Sequence, residues 1–307
     1  MPSLRFLARR FSDRTFGTAF DRAMARARED SRRKFLFFWN RGLGDIALGL
    51  VPLFRRIRSE IQGPTIEVLT REELRPAFEL TGVDAIHVVP NLQREARVEL
   101  PRACAALGIA LEPYAAAFDY PDPNRWLDGR RTEHPPVLAW KPAWDGLAAR
   151  FDIPRRKRVI AAHVSTETAK YYGYVKDWPA DRWRELFKRH DDGDTQWILV
   201  GQGADQAFDG PNVIDLRGAT SFPEVMSLVR NRCTALIAPD GGILTMAYYL
   251  DVQFPLDVVS LWSDPRQGIL LQGCDSPNAR LRHTPLVAPA EDLRNLSVDA
   301  VSAALGH

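Results

Sequence analysis

The residues best suited to chemistry are a carboxylate, two hydroxyls, a lysine and two acid-glycine turns, each placed just after an apolar run. Asp45 follows the turn Arg41-Gly42-Leu43-Gly44, which itself follows Lys34–Trp39. In an open parallel sheet, ligands bind beyond the carboxyl ends of strands, and a glycine there lets a ligand approach the backbone. Asp45 stands at such an edge; an acid in the first turn of a helix also simply complements the helix dipole. Further on, His163-Val164-Ser165-Thr166 leads to Lys176-Asp177-Trp178-Pro179. Ser165, Thr166 and Lys176 are the donor types that suit a phosphate. Asp205, beyond Gly201-Gln202-Gly203, is placed to bind ribose hydroxyls. Asp240-Gly241-Gly242 at a helix start suits anionic oxygens, and Ser263-Asp264-Pro265 completes the set. Each has an ordinary alternative: a solvated Lys176, a capping Asp205, a simple turn at Asp240-Gly241. Grouped on one sheet edge, they favour a nucleotide site.

The elements that must position these residues alternate strand and helix. Lys34–Trp39 is almost wholly apolar, as in a strand buried on both faces. Ile46, Leu50, Leu53, Phe54 and Ile57 then recur at helical spacing. Thr65–Leu69 predicts a strand, Glu72–Leu80 a helix, Ala85–Val89 a strand and Glu95–Leu107 a helix interrupted at Pro101. Residues 111–157 are dense in proline, with one helix expected over Ala143–Phe151. The second half predicts strands at Arg158–Val164, Trp197–Val200, Asn212–Leu216, Ala235–Ala238 and Val258–Trp262. Helices are expected from Pro179, from the Ser221…Glu224 capping box, over Ile243–Leu250, and from Ser297 to Leu305. This rhythm is that of parallel α/β sheets. Two such domains are expected, 34–152 and 153–307, facing across a cleft, after a basic segment 1–33.

Length and composition suit two globular domains with substantial cores. Residues 1–34 carry ten Arg or Lys and four acids, whereas the whole chain is only +2. Leu4, Leu7, Phe11, Phe16, Phe20, Met24 and Ala27 suggest basic amphipathic helices, either packed on the next domain or lying on an anionic membrane surface. There is no signal-peptide pattern and no apolar run of membrane-spanning length. Cys104, Cys233 and Cys274 are widely spaced, and the six histidines lack ligand spacing, which fits a reducing cytoplasm and no metal knuckle. Nucleic acid is not an expected partner.

The chain has no Gly-x-Gly-x-x-Gly, no Walker sequence and no nucleophile elbow. It does carry, in order, Gly42-Leu43-Gly44-Asp45 with Pro52, Lys176-Asp177-Trp178-Pro179 with Trp183, Ala238-Pro239-Asp240-Gly241-Gly242, and Trp262-Ser263-Asp264-Pro265. This set resembles family 9 of the glycosyltransferases, the lipopolysaccharide heptosyltransferases and their relatives. The resemblance runs from 34 to 307 and is strongest over 158–268. It implies a GT-B fold, with two Rossmann-like domains and inverting transfer from a nucleotide-diphosphate sugar, usually ADP-heptose, without metal or resident cofactor. It implies Asp45 as general base, Ser165, Thr166 and Lys176 at the diphosphate, Asp205 at the ribose, and Asp240, Gly241 and Gly242 against sugar and diphosphate.

Three features depart from the family pattern. Gly241 stands where Ser or Thr is usual, Thr245 stands where His is usual, and an insertion holding Lys170-Tyr171-Tyr172 separates Thr166 from Lys176. Thr245 is retained as a candidate contact. The expected partners are a nucleotide-sugar donor and a glycan or glycolipid acceptor, at the cytoplasmic side of an inner membrane. A nucleotide-sugar epimerase and a non-catalytic nucleotide-sugar-binding protein are the alternative functions.

Overall fold

The computed structural model describes residues 17–166, 176–203 and 206–306. Asp205, the Lys170–Tyr172 insertion and the Leu4–Phe16 part of the amphipathic pattern lie outside them. The chain divides into two compact units. One takes the chain up to Arg41 and then Asp45–Pro136; the other takes Gly42–Gly44 and the chain from Val137 onward.

The first unit is built on β1 (Lys34–Trp39), whose residues after Lys34 are all buried. A strand apolar on both faces belongs inside a parallel sheet. It lies there, between β2 (Thr65–Thr70) and β4 (Tyr114–Phe118), with β3 (Ala85–Val88) beyond β2, all parallel. Helix α1 (Ala19–Glu29) covers this sheet. Its Phe20 ring lies 5.6 Å from both Phe118 and Trp126. Phe20, Met24 and Ala27 are therefore core residues of this unit, so this part of the amphipathic face is not available to a membrane. Arg56 of α2 (Val51–Glu60) ties it to α1 through Asp21 at 2.7 Å and pairs with Glu60 one turn along its own helix at 2.7 Å.

The sequence reading misplaces several elements here. The helix expected over Glu95–Leu107 is only α4 (Leu100–Ala106); α3 is Arg75–Glu79. Pro101 opens α4 rather than interrupting a longer helix, since its fixed φ and missing N–H suit a first turn. Strand β4 and the short α5 (Pro123–Trp126) went unseen. Tyr-Ala-Ala-Ala-Phe has no alternation to betray it and becomes a strand only by pairing with β1.

The second unit holds a six-stranded parallel sheet in the order β12-β11-β9-β6-β7-β8. These are β6 (Arg158–Ala162), β7 (Thr195–Leu199), β8 (Val213–Asp215), β9 (Ala235–Pro239), β11 (Leu256–Trp262) and β12 (Leu281–Val287). A two-residue pair, β5 (Leu138–Ala139) with β10 (Leu250–Asp251), stands apart. Helix α6 (Ala180–Arg189) packs Trp183 against Trp178 and Phe187 against Trp197, ring to ring at 5.0 and 4.8 Å. The Ser221–Glu224 capping box opens α7 (Phe222–Asn231), and α8 is Gly242–Tyr248. Helix α9 (Gly268–Gln272) follows β11, and α10 (Val298–Ala304) starts with Ser297 as cap.

Residues 137–152, placed in the first domain by the sequence reading, group with the second unit. Leu138 pairs with Leu250, Trp144 packs edge-on against Phe222, and Ala148 N–H donates to Ser227 Oγ at 3.1 Å. Leu138, Trp144 and Ala148 are thus buried in the second unit. The single helix expected over Ala143–Phe151 is two 3-10 turns, Pro142–Trp144 and Leu147–Arg150, separated by Gly146, a poor helix former. No described helix is long and apolar enough to cross a membrane.

Candidate functional site

In each sheet the chain order reverses at one place, and such switch points are where open α/β sheets bind ligands. In the first unit, β2 and β3 lie to one side of β1 and β4 to the other. The loop leaving β1 at this point contains Asp45. In the second unit the reversal falls between β6 and β9. The loops leaving those strands are His163–Thr166 and Asp240–Gly242. The β7 loop, Gly201–Gly203, lies beyond the first of these and Ser263-Asp264 beyond the second. Parallel pairing throughout places all four loops on one edge, as expected from the sequence.

Asp45 enters a wide turn, Ile46–Leu50, in which Val51 N–H reaches back to Ile46 O. Such π turns are rare and cluster at functional sites. Pro52, which has no N–H, lies where the wide turn gives way to α2. The Asp45 carboxylate makes no side-chain cap to this turn. Arg131 is a neighbour that the sequence reading missed. Burial lowers its pKa, while Asp128 and then Asp45 favour its charge. It donates to Asn124 O and Oδ1 at 3.2 and 3.3 Å. Arg131 lies far along the chain in the proline-rich stretch, and no spacing rule connects it to Asp45.

In the second unit the Lys176 ammonium pairs with Asp240 Oδ2, with side-chain exposures of 15% and 13%. The β6 and β9 loops are thus linked through charge. Lys176 is held from behind: Trp178 is buried, and its Nε1–H donates to Leu296 O at 3.0 Å. Thr166 donates both its N–H and its hydroxyl to Asp177 Oδ1, at 2.8 and 2.9 Å. Its hydroxyl proton is committed, which leaves its oxygen only as an acceptor. Ser165 is half-buried. Thr245 is buried, and its hydroxyl donates to Gly241 O at 3.0 Å; it braces the turn from within.

Three further residues shape this edge without having been singled out by the sequence. Asp177 holds Thr166. Gly268, with φ +52°, lets the start of α9 approach the turn: a Cβ there would lie 2.4 Å from Asp240 Oδ1 and 2.6 Å from the Trp262 ring. His163 is buried between two glycine loops. A Cβ on Gly201 would lie 2.8 Å from its Cδ2, and one on Gly241 would lie 3.7 Å from its Nδ1. Burial alone lowers the His163 pKa to about 4. Its position directly after a buried strand is a signal that the sequence did carry. Among the described residues no cluster of three or more His, Cys, Asp or Glu could hold a metal ion.

These two parallel α/β units have the GT-B fold, the fold of solved heptosyltransferases. Escherichia coli ADP-heptose lipopolysaccharide heptosyltransferase II superposes with a TM-score of 0.60 at 16% identity, over 89% of this chain and 97% of that one. A family 9 glycosyltransferase from Veillonella parvula gives 0.58 at 14% identity, over 90% and 96%. E. coli heptosyltransferase WaaC, solved with ADP-2-deoxy-2-fluoro heptose, gives 0.51 at 15% identity, over 89% and 98%. No family model and no curated protein sequence matches the chain.

Proposed function

We propose that this protein is an inverting glycosyltransferase that takes a sugar from a nucleotide-diphosphate donor. The observation that carries this reading is the Lys176–Asp240 pair at the β6–β9 switch point, on a fold shared with heptosyltransferases. ADP-heptose is the first donor to test, since WaaC was solved with an analogue of it.

In this reading Lys176, with Ser165 and the backbone of the Asp240-Gly241-Gly242 turn, receives the diphosphate. Asp177 presents Thr166 in a fixed orientation. Thr245 acts through the turn it braces, and Asp205 is assigned to the ribose. Asp45 takes the proton from an acceptor hydroxyl as that oxygen bonds to the anomeric carbon. The bond from that carbon to the diphosphate oxygen breaks, the electron pair leaves with the nucleoside diphosphate, and the configuration inverts. General-base help of this kind is worth ~10²–10⁴-fold, and each well-placed donor to the leaving group about 3 kcal/mol. No metal or resident cofactor is assigned a part.

The acceptor is proposed to be a glycan or glycolipid hydroxyl of the cell envelope, reached from the cytoplasmic face. Membrane contact, if made through residues 1–33, would fall to the part before α1, since α1 buries its apolar face. A thermal-shift screen of ADP, UDP and GDP sugars tests the donor. A ligand selective for the native state raises the melting temperature by mass action, and no shift with any of them would refute the reading.

A further inference from the structure

We propose that His163 Nδ1 donates a hydrogen bond to an unesterified oxygen of the donor's diphosphate, across the side-chain position that Gly241 leaves open. This rests on the reading of the site as one for a nucleotide-diphosphate sugar.

His163 is 7% exposed, and its Nδ1 is buried without a hydrogen-bond partner. Buried polar atoms are nearly always paired, and an orphan at a site calls for a physical reason. Its Cδ2–Nε2 edge faces the Gly201 loop, 2.8 and 3.0 Å from where a Cβ on Gly201 would stand. The opposite edge, Cε1–Nδ1, lies 3.6 and 3.7 Å from the Cβ position of Gly241, with the Thr166 methyl at 3.4 Å. These are ordinary contact distances, so the place would hold a side-chain atom, and glycine supplies none. The backbone there is extended, φ −174° and ψ 174°, a conformation open to any residue. Glycine at 241 is therefore not required by the turn.

The chemistry selects the ligand atom. Burial keeps the ring neutral, and a neutral imidazole protonated at Nδ1 donates there. A phosphate oxygen only accepts. The neighbouring Asp240 holds Lys176, the cation assigned to the same diphosphate. Nδ1 is buried in this state, so the proposed contact requires the Asp240–Gly242 turn to give way to the incoming oxygen.

The test uses His163→Phe, which keeps a ring of similar shape, and Gly241→Ala, whose methyl fills the open place beside Nδ1. Calorimetry would compare the tightest binder among ADP, UDP and GDP with its sugar derivative. Both variants should keep or raise the melting temperature and weaken both ligands about tenfold, and the double variant should lose no more than either single one. The 15N resonance of His163 Nδ1 should move on adding the diphosphate. Unchanged affinity in a folded His163→Phe overturns the contact while leaving the nucleotide reading intact. Loss confined to the sugar derivative overturns it too, since the partner is then a sugar hydroxyl. A wild-type chain that binds none of the three sinks the nucleotide reading and this contact with it.

Discussion

The Lys176 ammonium is paired with the Asp240 carboxylate, two side chains 64 residues apart that close the switch point between β6 and β9. The pair holds the lysine in place, and in the proposed reading that lysine also meets the donor's diphosphate. Lys176→Ala is expected to weaken nucleoside-diphosphate binding by about 10–100-fold, or roughly 1.4–2.7 kcal/mol. Calorimetry checks it, and an unaltered affinity removes Lys176 from the diphosphate.

Asp45 should separate chemistry from binding. Asp45→Ala is expected to reduce transfer by ~10²-fold or more while donor affinity stays near that of wild type. Single-turnover assays with saturating donor, beside calorimetry of the same variant, make the distinction. Transfer at the normal rate would exclude the carboxylate as base.

Gly268 is held to glycine by geometry on two counts, a φ of +52° and a Cβ position 2.4 Å from Asp240 Oδ1. Gly268→Ala is expected to cost about 1–3 kcal/mol in stability and to disturb the Asp240 turn, weakening nucleotide binding as well. Denaturant melts with a binding isotherm would show both effects. A neutral outcome in both would mean that α9 yields without disturbing Asp240.

His163 gives an acid-side dependence of stability. Its native pKa is lowered to about 4 from 6.5 by burial. Below pH 6.5 the unfolded chain takes up a proton that the native chain does not. Stability from this source is intact above 6.5, falls as pH drops, and stops falling near 4. Across that window the loss is about 3 kcal/mol. His163→Phe should remove this component, so denaturant melts of variant and wild type near neutrality and at about pH 5 should diverge in the variant's favour. Curves that stay parallel would mean that the ring is already protonated or solvated in the native state.

Much of this protein was legible in the chain because local chemistry dictated it. Lys34–Trp39 is apolar on both faces and became the central strand β1. Ser221 and Glu224 form the box that their spacing announces. The four loops of the second half share an edge because parallel strands leave no alternative. The resemblance to glycosyltransferase family 9 agrees with the fold found.

What the tertiary structure alone decided rests on partners distant in sequence. Tyr114–Phe118 is a strand because β1 offers it an edge, and residues 137–152 belong to the second unit because Phe222, Ser227 and Leu250 receive them. The pairing of Thr166 with Asp177, the approach of Gly268 to Asp240, and the enclosure of His163 between Gly201 and Gly241 depend on which loops fold together. Periodicity and propensity report what a residue prefers within a few turns of chain. Side-chain contacts between strand ends are set by strand order, which a local pattern does not encode.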